Sequence, residues 1–276
     1  MTEGVKERLV RVSTGAGIFY GLMVEDRIYL AGSRWPWDRP EWASFLRGEG
    51  GRPSRLPYIG TDEAELICPV EPGKVVAVGL NYRDHAHEVG AVLPEEPVLF
   101  VKPATAVIGP GAAILLPPVS RRVDYEAELA VVIGRRAKRV AVGQAPDYVL
   151  GYTCGNDVTA RDLQQKDGQW TRSKSFDTFC PLGPWVVPGL DPAALQVVCR
   201  VNGKVRQQGN TRDLIFPVAE LVSFVSGIMT LEPGDVLLTG TPAGIGPLEP
   251  GDLVEVEIEG VGVLSNPVKI AVDTPS

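Results

Sequence analysis

The chain of 276 residues has only two histidines, His85 and His87, and four scattered cysteines, Cys68, Cys154, Cys180 and Cys199. A zinc site built from His and Cys is therefore not expected. If a metal binds, carboxylates must supply most of the ligands, which favours a hard ion such as Mg²⁺, Mn²⁺ or Ca²⁺. No C-x-x-C pair is present, so the cysteines read as reduced thiols of a cytoplasmic protein. No apolar run approaches the roughly 18 residues of a membrane-crossing helix. The polar, charged first ten residues do not read as a signal peptide. A membrane partner is not expected. Positive charge is also scarce: 27 Lys+Arg stand against 34 Asp+Glu, a net charge of −7. The one dense basic run, residues 134–139, reads as a solvated turn, so nucleic acid is not an expected partner.

What is present is a texture that changes near residue 71. Residues 1–70 read as a small, irregular N-terminal domain with short strands at 10–12, 17–24 and 27–30. A turn-rich stretch follows at 34–40, and Trp35, Trp37 and Trp42 could shield one edge of the fold. From residue 71 to 276 a larger domain is expected. E-P-G followed by Lys or Asp occurs at 71–74, 232–235 and 249–252, each time before an apolar, strand-like run. Pro-Gly suits the centre of a type II turn, so these are shared turn chemistry rather than a repeat. Further strands are expected at 75–80, 98–102, 125–133, 148–153, 185–187, 196–201, 236–239 and 253–258. Asn202-Gly203 is a hairpin signal. Only two clear helices emerge. One, at 159–165, has Thr159 and Asp162 in capping-box-like spacing; the other, at 217–226, has Pro217 in its first turn. Many strands and few helices indicate an α+β, β-rich fold, a mixed sandwich or roll, and not a doubly wound sheet.

Several segments could carry chemistry. In Asp124-Tyr125-Glu126-Ala127-Glu128 the alternate residues share one strand face, so Glu126 and Glu128 can both reach one cation. The pattern alone is weak, since Glu255, Glu257 and Glu259 repeat it on an ordinary alternating strand. The difference is that Val131, Val132 and Ile133 follow Glu128, apolar on both faces. Clustered carboxylates entering an interior need a cation or a proton. Asp157, between a strand and a short helix, reads either as a turn residue or as a third ligand. His85 and Glu88, at i and i+3, share a helix face. They are either an exposed polar helix start or an imidazole made more basic by its carboxylate, fit to activate water. His87 reads as a surface residue. Lys174 sits in an aromatic setting. It is either a surface lysine or, beside a metal, a group that stabilises an enolate or orients a carboxylate. The segment Thr239-Gly240-Thr241-Pro242-Ala243-Gly244 follows a strand and matches neither nucleotide-binding glycine motif. It could hold a small carboxylate or be a purely structural loop.

Together these segments resemble the fumarylacetoacetate hydrolase family. The resemblance runs in order through Gly79-Leu80-Asn81-Tyr82, Asp84-His85-Ala86, Phe100-Val101-Lys102-Pro103, Asp124-Tyr125-Glu126-Ala127-Glu128-Leu129 and Gly151-Tyr152-Thr153. It continues through Asn156-Asp157-Val158-Thr159-Ala160-Arg161-Asp162, Lys174-Ser175-Phe176-Asp177, Val201-Asn202-Gly203 and Thr239-Gly240-Thr241-Pro242. Residues 1–70 match only loosely. The resemblance implies a mixed β-roll catalytic domain, a homodimer, and Mg²⁺ or Mn²⁺ (with Ca²⁺ also compatible) held by Glu126, Glu128 and Asp157. It makes Lys174 the active-site lysine and His85 with Glu88 the water-activating pair. Thr241 and Gly240 then hold a substrate carboxylate, and Tyr82 and Arg83 are taken as further substrate contacts. The implied reaction is hydrolytic cleavage of a C–C bond in a small 2,4-diketo acid, an acylpyruvate or fumarylpyruvate, through an enolate stabilised at the metal. The same site would also suit a 2-hydroxyhepta-2,4-diene-1,7-dioate isomerase, or a decarboxylase of 5-carboxymethyl-2-oxo-hex-3-ene-1,7-dioate or oxaloacetate type, in aromatic catabolism. A non-catalytic ligand-binding relative is the remote alternative. It would be expected to lack a carboxylate of the triad or the lysine.

Overall fold

The computed structural model describes residues 7–37, 42 and 56–271. The first six residues and positions 38–40 of the turn-rich stretch lie outside them. Strands dominate, as the composition of turns and apolar runs implied, and the helices are short: Arg83–Glu88, Arg161–Asp167, Thr171–Lys174 and Val218–Ile228. Among the described residues no helix is long and apolar enough to cross a membrane.

The largest sheet has twelve strands among the described residues. Its path runs from Tyr58–Gly60 through Arg27–Gly32, Gly17–Val24 and Arg8–Thr14 to Cys180–Val187. It continues through Val149–Asn156, Ala127–Ile133, Val236–Leu238 and Val75–Gly79 to Val98–Lys102 at the far edge. The N-terminal strands extend this sheet by pairing Leu9 with Val186. Most neighbours are antiparallel, but Val236–Leu238 runs parallel to Val75–Gly79. A second sheet of five strands contains the hairpin Gln196–Val201 and Lys204–Asn210. Its turn places Asn202 at φ 53° and Gly203 at φ 75°, the two positive angles that a tight N-G hairpin requires.

The strand Ala127–Ile133 is buried along its whole length. Its odd-numbered residues, Leu129, Val131 and Ile133, share a core with Leu221, Val222 and Val225 of the helix Val218–Ile228. Its even-numbered residues, Ala130 and Val132, pack in a second core with Leu22, Leu182, Trp37 and Trp42. A strand covered on both faces is a continuous apolar run, which is why this stretch lacks alternation. Trp37 and Trp42 stand edge to face with centroids 4.8 Å apart. They are core residues rather than a shield over an edge.

Three local expectations are corrected. The single strand expected at 125–133 is two, Val123–Tyr125 and Ala127–Ile133, broken at Glu126. The helix expected at 159–165 is Arg161–Asp167, with no capping box. The Thr159 hydroxyl donates to Asp157 O at 2.8 Å, and the Asp162 carboxylate accepts from Ser120 Oγ at 2.6 Å and Arg121 N at 3.0 Å. A neighbouring carbonyl has taken the Thr159 hydroxyl, and tertiary partners have taken the Asp162 carboxylate that a local cap would use. Pro217 lies at the N-cap of its helix, one position before the expected first turn.

Candidate active site

The break at Glu126 is where the site forms. Glu126 N donates to Asn156 Oδ1 at 3.0 Å, and Asp157 N donates to Glu126 O at 2.9 Å. The antiparallel ladder pairs Ala127 with Asn156 and Glu128 with Gly155. Asp157, the first residue past that ladder, therefore arrives beside Glu126, thirty-one residues earlier in sequence. All three carboxylates are buried, and one oxygen from each of Glu126, Glu128 and Asp157 lies within 4.8 Å of the others. The triad could hold a divalent ion, and its all-oxygen donors suit a hard one.

The electrostatics support that fit. Burial, together with the nearby Asp157 and Glu126 carboxylates, pushes Glu128 well above the usual carboxylate range. A dication between the three would relieve that cost. Burial alone would raise Glu126 as well, but Lys174, Arg161 and His85 more than offset it and hold its carboxyl well below the usual range. Lys174 Nζ donates to Glu126 Oε2 at 2.8 Å and to Asp157 Oδ2 at 2.7 Å, and lies 4.9 Å from the Phe100 ring centre. Burial would lower Lys174, but Asp157 and Glu126 keep it above its ordinary value. It ends the short helix Thr171–Lys174 and is buried, not the surface lysine that its segment alone allowed.

His85 and Glu88 are paired on the helix Arg83–Glu88, with His85 Nδ1 2.9 Å from Glu88 Oε2. The glycine loop receives this helix. Gly244 N donates to Glu88 Oε1 at 2.9 Å, Ala243 N to Asp84 Oδ2 at 3.3 Å, and Gly240 N to Glu128 Oε2 at 2.7 Å. The loop's N–H groups do bind carboxylates, but these three belong to the chain itself. Gly240 is required on two grounds. Its φ is +98°, and a Cβ there would lie 2.7 Å from Asn81 Cβ. Thr241 Oγ1 donates to Ala127 O at 2.9 Å and accepts from Gln207 Nε2 at 2.7 Å.

A cavity of about 420 Å³ opens over these groups. His85, Glu126, Glu128, Asp157, Lys174 and Thr241 all line it. Glu88 stands behind His85. Gly240, Tyr82 and Arg83 are not among the lining residues: Gly240 faces Glu128, Tyr82 is buried with its hydroxyl unpartnered, and Arg83 is exposed. His87 is exposed, as read. Val78, Phe100 and Trp170 give the cavity apolar walls. Trp170 can lie against the strand at Gly79 because a Cβ there would come within 2.6 Å of its ring.

Three contributors were not singled out from sequence. Arg161, which also lines the cavity, pairs with Glu126, donates to Asp124 Oδ2 at 2.9 Å and reaches Gln164 Oε1 at 2.7 Å. Lys102 pairs with Asp157 from the buried side. Gln207 bridges Ala127 N, at 3.0 Å, to Thr241 and Pro242. Arg161 and Lys102 both fall inside recognised motif segments. Gln207, on the strand Lys204–Asn210, gave no signal beyond being polar.

A mixed β-fold with an oxygen-only carboxylate triad, a buried lysine and a His–Glu pair in one cavity defines a class of protein. The family model of the fumarylacetoacetate (FAA) hydrolase C-terminal domain matches residues 74–269. The chain belongs to the fumarylacetoacetate hydrolase family. A mitochondrial oxaloacetate tautomerase of Bos taurus is 46% identical over 228 residues, 78% of this chain and 73% of that protein. Among solved structures, 5-carboxymethyl-2-hydroxymuconate delta-isomerase from Mycobacterium smegmatis is 43% identical with a TM-score of 0.85, covering 96% of this chain and 100% of that one. Fumarylacetoacetate hydrolase from Exiguobacterium antarcticum is 36% identical with a TM-score of 0.81, covering 96% and 100%.

Proposed function

We propose that the chain is a divalent-metal-dependent enzyme that moves a proton beside the 2-oxo group of a small 2-oxo dicarboxylic acid, interconverting keto and enol forms or shifting a double bond. The observation that carries this reading is that the carboxylate triad, Lys174 and His85 line one cavity of about 420 Å³. The names of the tautomerase and isomerase relatives, at 46% and 43% identity, support it. Mg²⁺ or Mn²⁺ bound by Glu126, Glu128 and Asp157 would supply Lewis acidity towards the carboxylate and 2-oxo oxygens of the substrate.

The chain's own groups do the rest. With Nδ1 engaged by Glu88, His85 keeps Nε2 to take a proton from the carbon next to the 2-oxo group. Glu88 stabilises the imidazolium that results. Lys174 donates a hydrogen bond to the oxygen on which negative charge develops. Phe100 and Trp170 give that side of the cavity apolar walls. Protonation of the enolate oxygen completes enolisation. In the reverse direction the enol loses its O–H proton and protonated His85 delivers a proton to the carbon next to the 2-oxo group, completing ketonisation, while delivery to a more distant carbon of a conjugated chain moves the double bond. All the residues that this chemistry needs are present, which argues against a non-catalytic relative.

A second reading is hydrolytic cleavage of an acylpyruvate or fumarylpyruvate. The His85–Glu88 pair favours it, since the same imidazole can take a proton from water attacking the distal carbonyl, with an enolate as the leaving group. A turnover panel with Mg²⁺ tests both: enol-oxaloacetate, oxaloacetate, a hydroxyhexadienedioate, an acylpyruvate and fumarylpyruvate. No turnover of any member would contradict the assignment. A cytoplasmic homodimer is part of the same proposal, and light scattering that gives a monomer would remove that part.

A further inference from the structure

We propose that Lys102 is a positioning residue of the carboxylate triad: held behind Asp157, it fixes which oxygen of that carboxylate faces the cavity and so sets the affinity for the divalent ion. The inference rests on reading the triad as a metal site.

Asp157 is gripped from two sides. Lys174, on the cavity side, donates to Oδ2 at 2.7 Å, and Lys102 pairs with Oδ1. The two lysines are not equivalent. Lys174 lines the cavity and also serves Glu126. Lys102 is 0% exposed, is not among the cavity-lining residues, and has one further acceptor, Val158 O at 3.2 Å. It closes the edge strand Val98–Lys102, whose pairing with the strand Val75–Gly79 sets Lys102 opposite Val75. Its ammonium therefore reaches the loop just past the Val149–Asn156 strand from a fixed frame.

This geometry has a consequence for ion binding. A carboxylate turns about its last bond, so an unpinned Asp157 would present either oxygen to the cavity. With Oδ1 held by a buried donor, Oδ2 is the one presented, and less rotational freedom is lost when an ion replaces the Lys174 contact. Lys102 cannot leave with Lys174. A buried ammonium taken from Asp157 and Val158, its acceptors among the described residues, would be uncompensated. Its positive charge acts the other way, weakening attraction for a dication. The proposal is that orientation outweighs charge.

The test measures Mn²⁺ affinity by electron paramagnetic resonance of the free ion, in the full chain. Lys102→Met removes the donor and the charge, and Lys102→Gln keeps a donor without charge. Positioning predicts roughly ten-fold or greater loss of Mn²⁺ affinity in Lys102→Met, the scale seen for partners that orient metal ligands. It predicts that Lys102→Gln stays within about three-fold of the unsubstituted chain, close to the span that one retained hydrogen bond covers. Tighter Mn²⁺ binding in both variants would overturn the proposal in favour of a simple counter-ion. Unchanged affinity with a lower melting temperature would overturn it in favour of a purely structural ion pair. If Lys102→Met does not fold, Lys102→Arg, which keeps the charge and displaces the donor, is measured instead: roughly ten-fold weaker Mn²⁺ binding supports positioning, and unchanged or tighter binding contradicts it. Failure of the underlying reading is distinguishable, because then the unsubstituted chain would show no saturable Mn²⁺ binding at all.

Discussion

His85 and Glu88 form a hydrogen-bonded pair, Nδ1 to Oε2 at 2.9 Å, and the other oxygen of Glu88 accepts the Gly244 N–H at the same distance. Glu88 thus ties the imidazole to the loop that also anchors Glu128. Glu88→Gln keeps the size of the side chain and removes the charge that supports an imidazolium. It should lower kcat by about 100-fold, the usual scale of acid–base assistance, with little change in KM. Steady-state kinetics on enol-oxaloacetate with Mg²⁺ check this, and an unchanged kcat would remove Glu88 from the mechanism.

His85→Ala tests the proton-transfer role that both readings of the reaction share. As the only base for both proton abstraction and water activation, its loss should reduce enol ketonisation and acylpyruvate cleavage alike by about 100-fold or more. Mg²⁺-dependent decarboxylation of oxaloacetate, which needs no base, should fall much less. Equal losses in all three would mean that His85 holds the site together rather than moving a proton.

Glu128 makes metal-free stability depend on pH. Its folded-state value is raised above the ordinary 4.5 by burial and by Asp157 and Glu126. Between the two values the folded chain holds a proton that the unfolded chain has released. The stability it contributes is therefore full below the ordinary value and is lost as pH rises through the raised one. Melting temperatures in EDTA should fall as pH rises above about 4.5 for the unsubstituted chain and fall less for Glu128→Gln. Mg²⁺ should restore the unsubstituted chain at neutral pH and leave the variant almost unmoved. Equal Mg²⁺ stabilisation of both would contradict the triad as the binding site.

How far the sequence carried this picture is clear from individual residues. Glu126, Glu128 and Asp157 were legible as ligand types, and the His85–Glu88 spacing as a helical pair, because both depend on local geometry. Their convergence was not legible, because it depends on an antiparallel register that sets Asn156 opposite Ala127. The capping box at Thr159 failed because Ser120 and Arg121 outcompete it for Asp162 from across the fold. Lys102 closes a strand that otherwise reads as apolar, and nothing in its neighbours announces a buried ion pair with Asp157.

Gln207 shows the same limit and gives a stability prediction. Its amide satisfies Ala127 N, Thr241 Oγ1 and Pro242 O within the buried interior. Gln207→Leu would leave a buried N–H and a buried carbonyl without these partners, at a cost of about 2–4 kcal/mol. Urea unfolding measures this, and a loss under about 0.5 kcal/mol, the level of an ordinary surface change, would mean that the loop has other support.

Arg161 uses its planar fork on Asp124, Glu126 and Gln164 at once. Arg161→Lys keeps the charge but cannot serve all three. An approximately ten-fold or greater loss in kcat/KM is expected, of the order reported for changes in groups that orient a metal site. Unchanged kinetics would show that charge alone is needed there.

The central claim is tested most directly by ketonisation of enol-oxaloacetate, followed by the loss of its ultraviolet absorbance, with Mg²⁺ and with EDTA. The prediction is catalysis well above the buffer rate that EDTA abolishes and that Glu126→Gln with Glu128→Gln does not recover on adding Mg²⁺. Equal catalysis in EDTA, or full activity in the double variant, would contradict a metal-dependent enolisation at this triad.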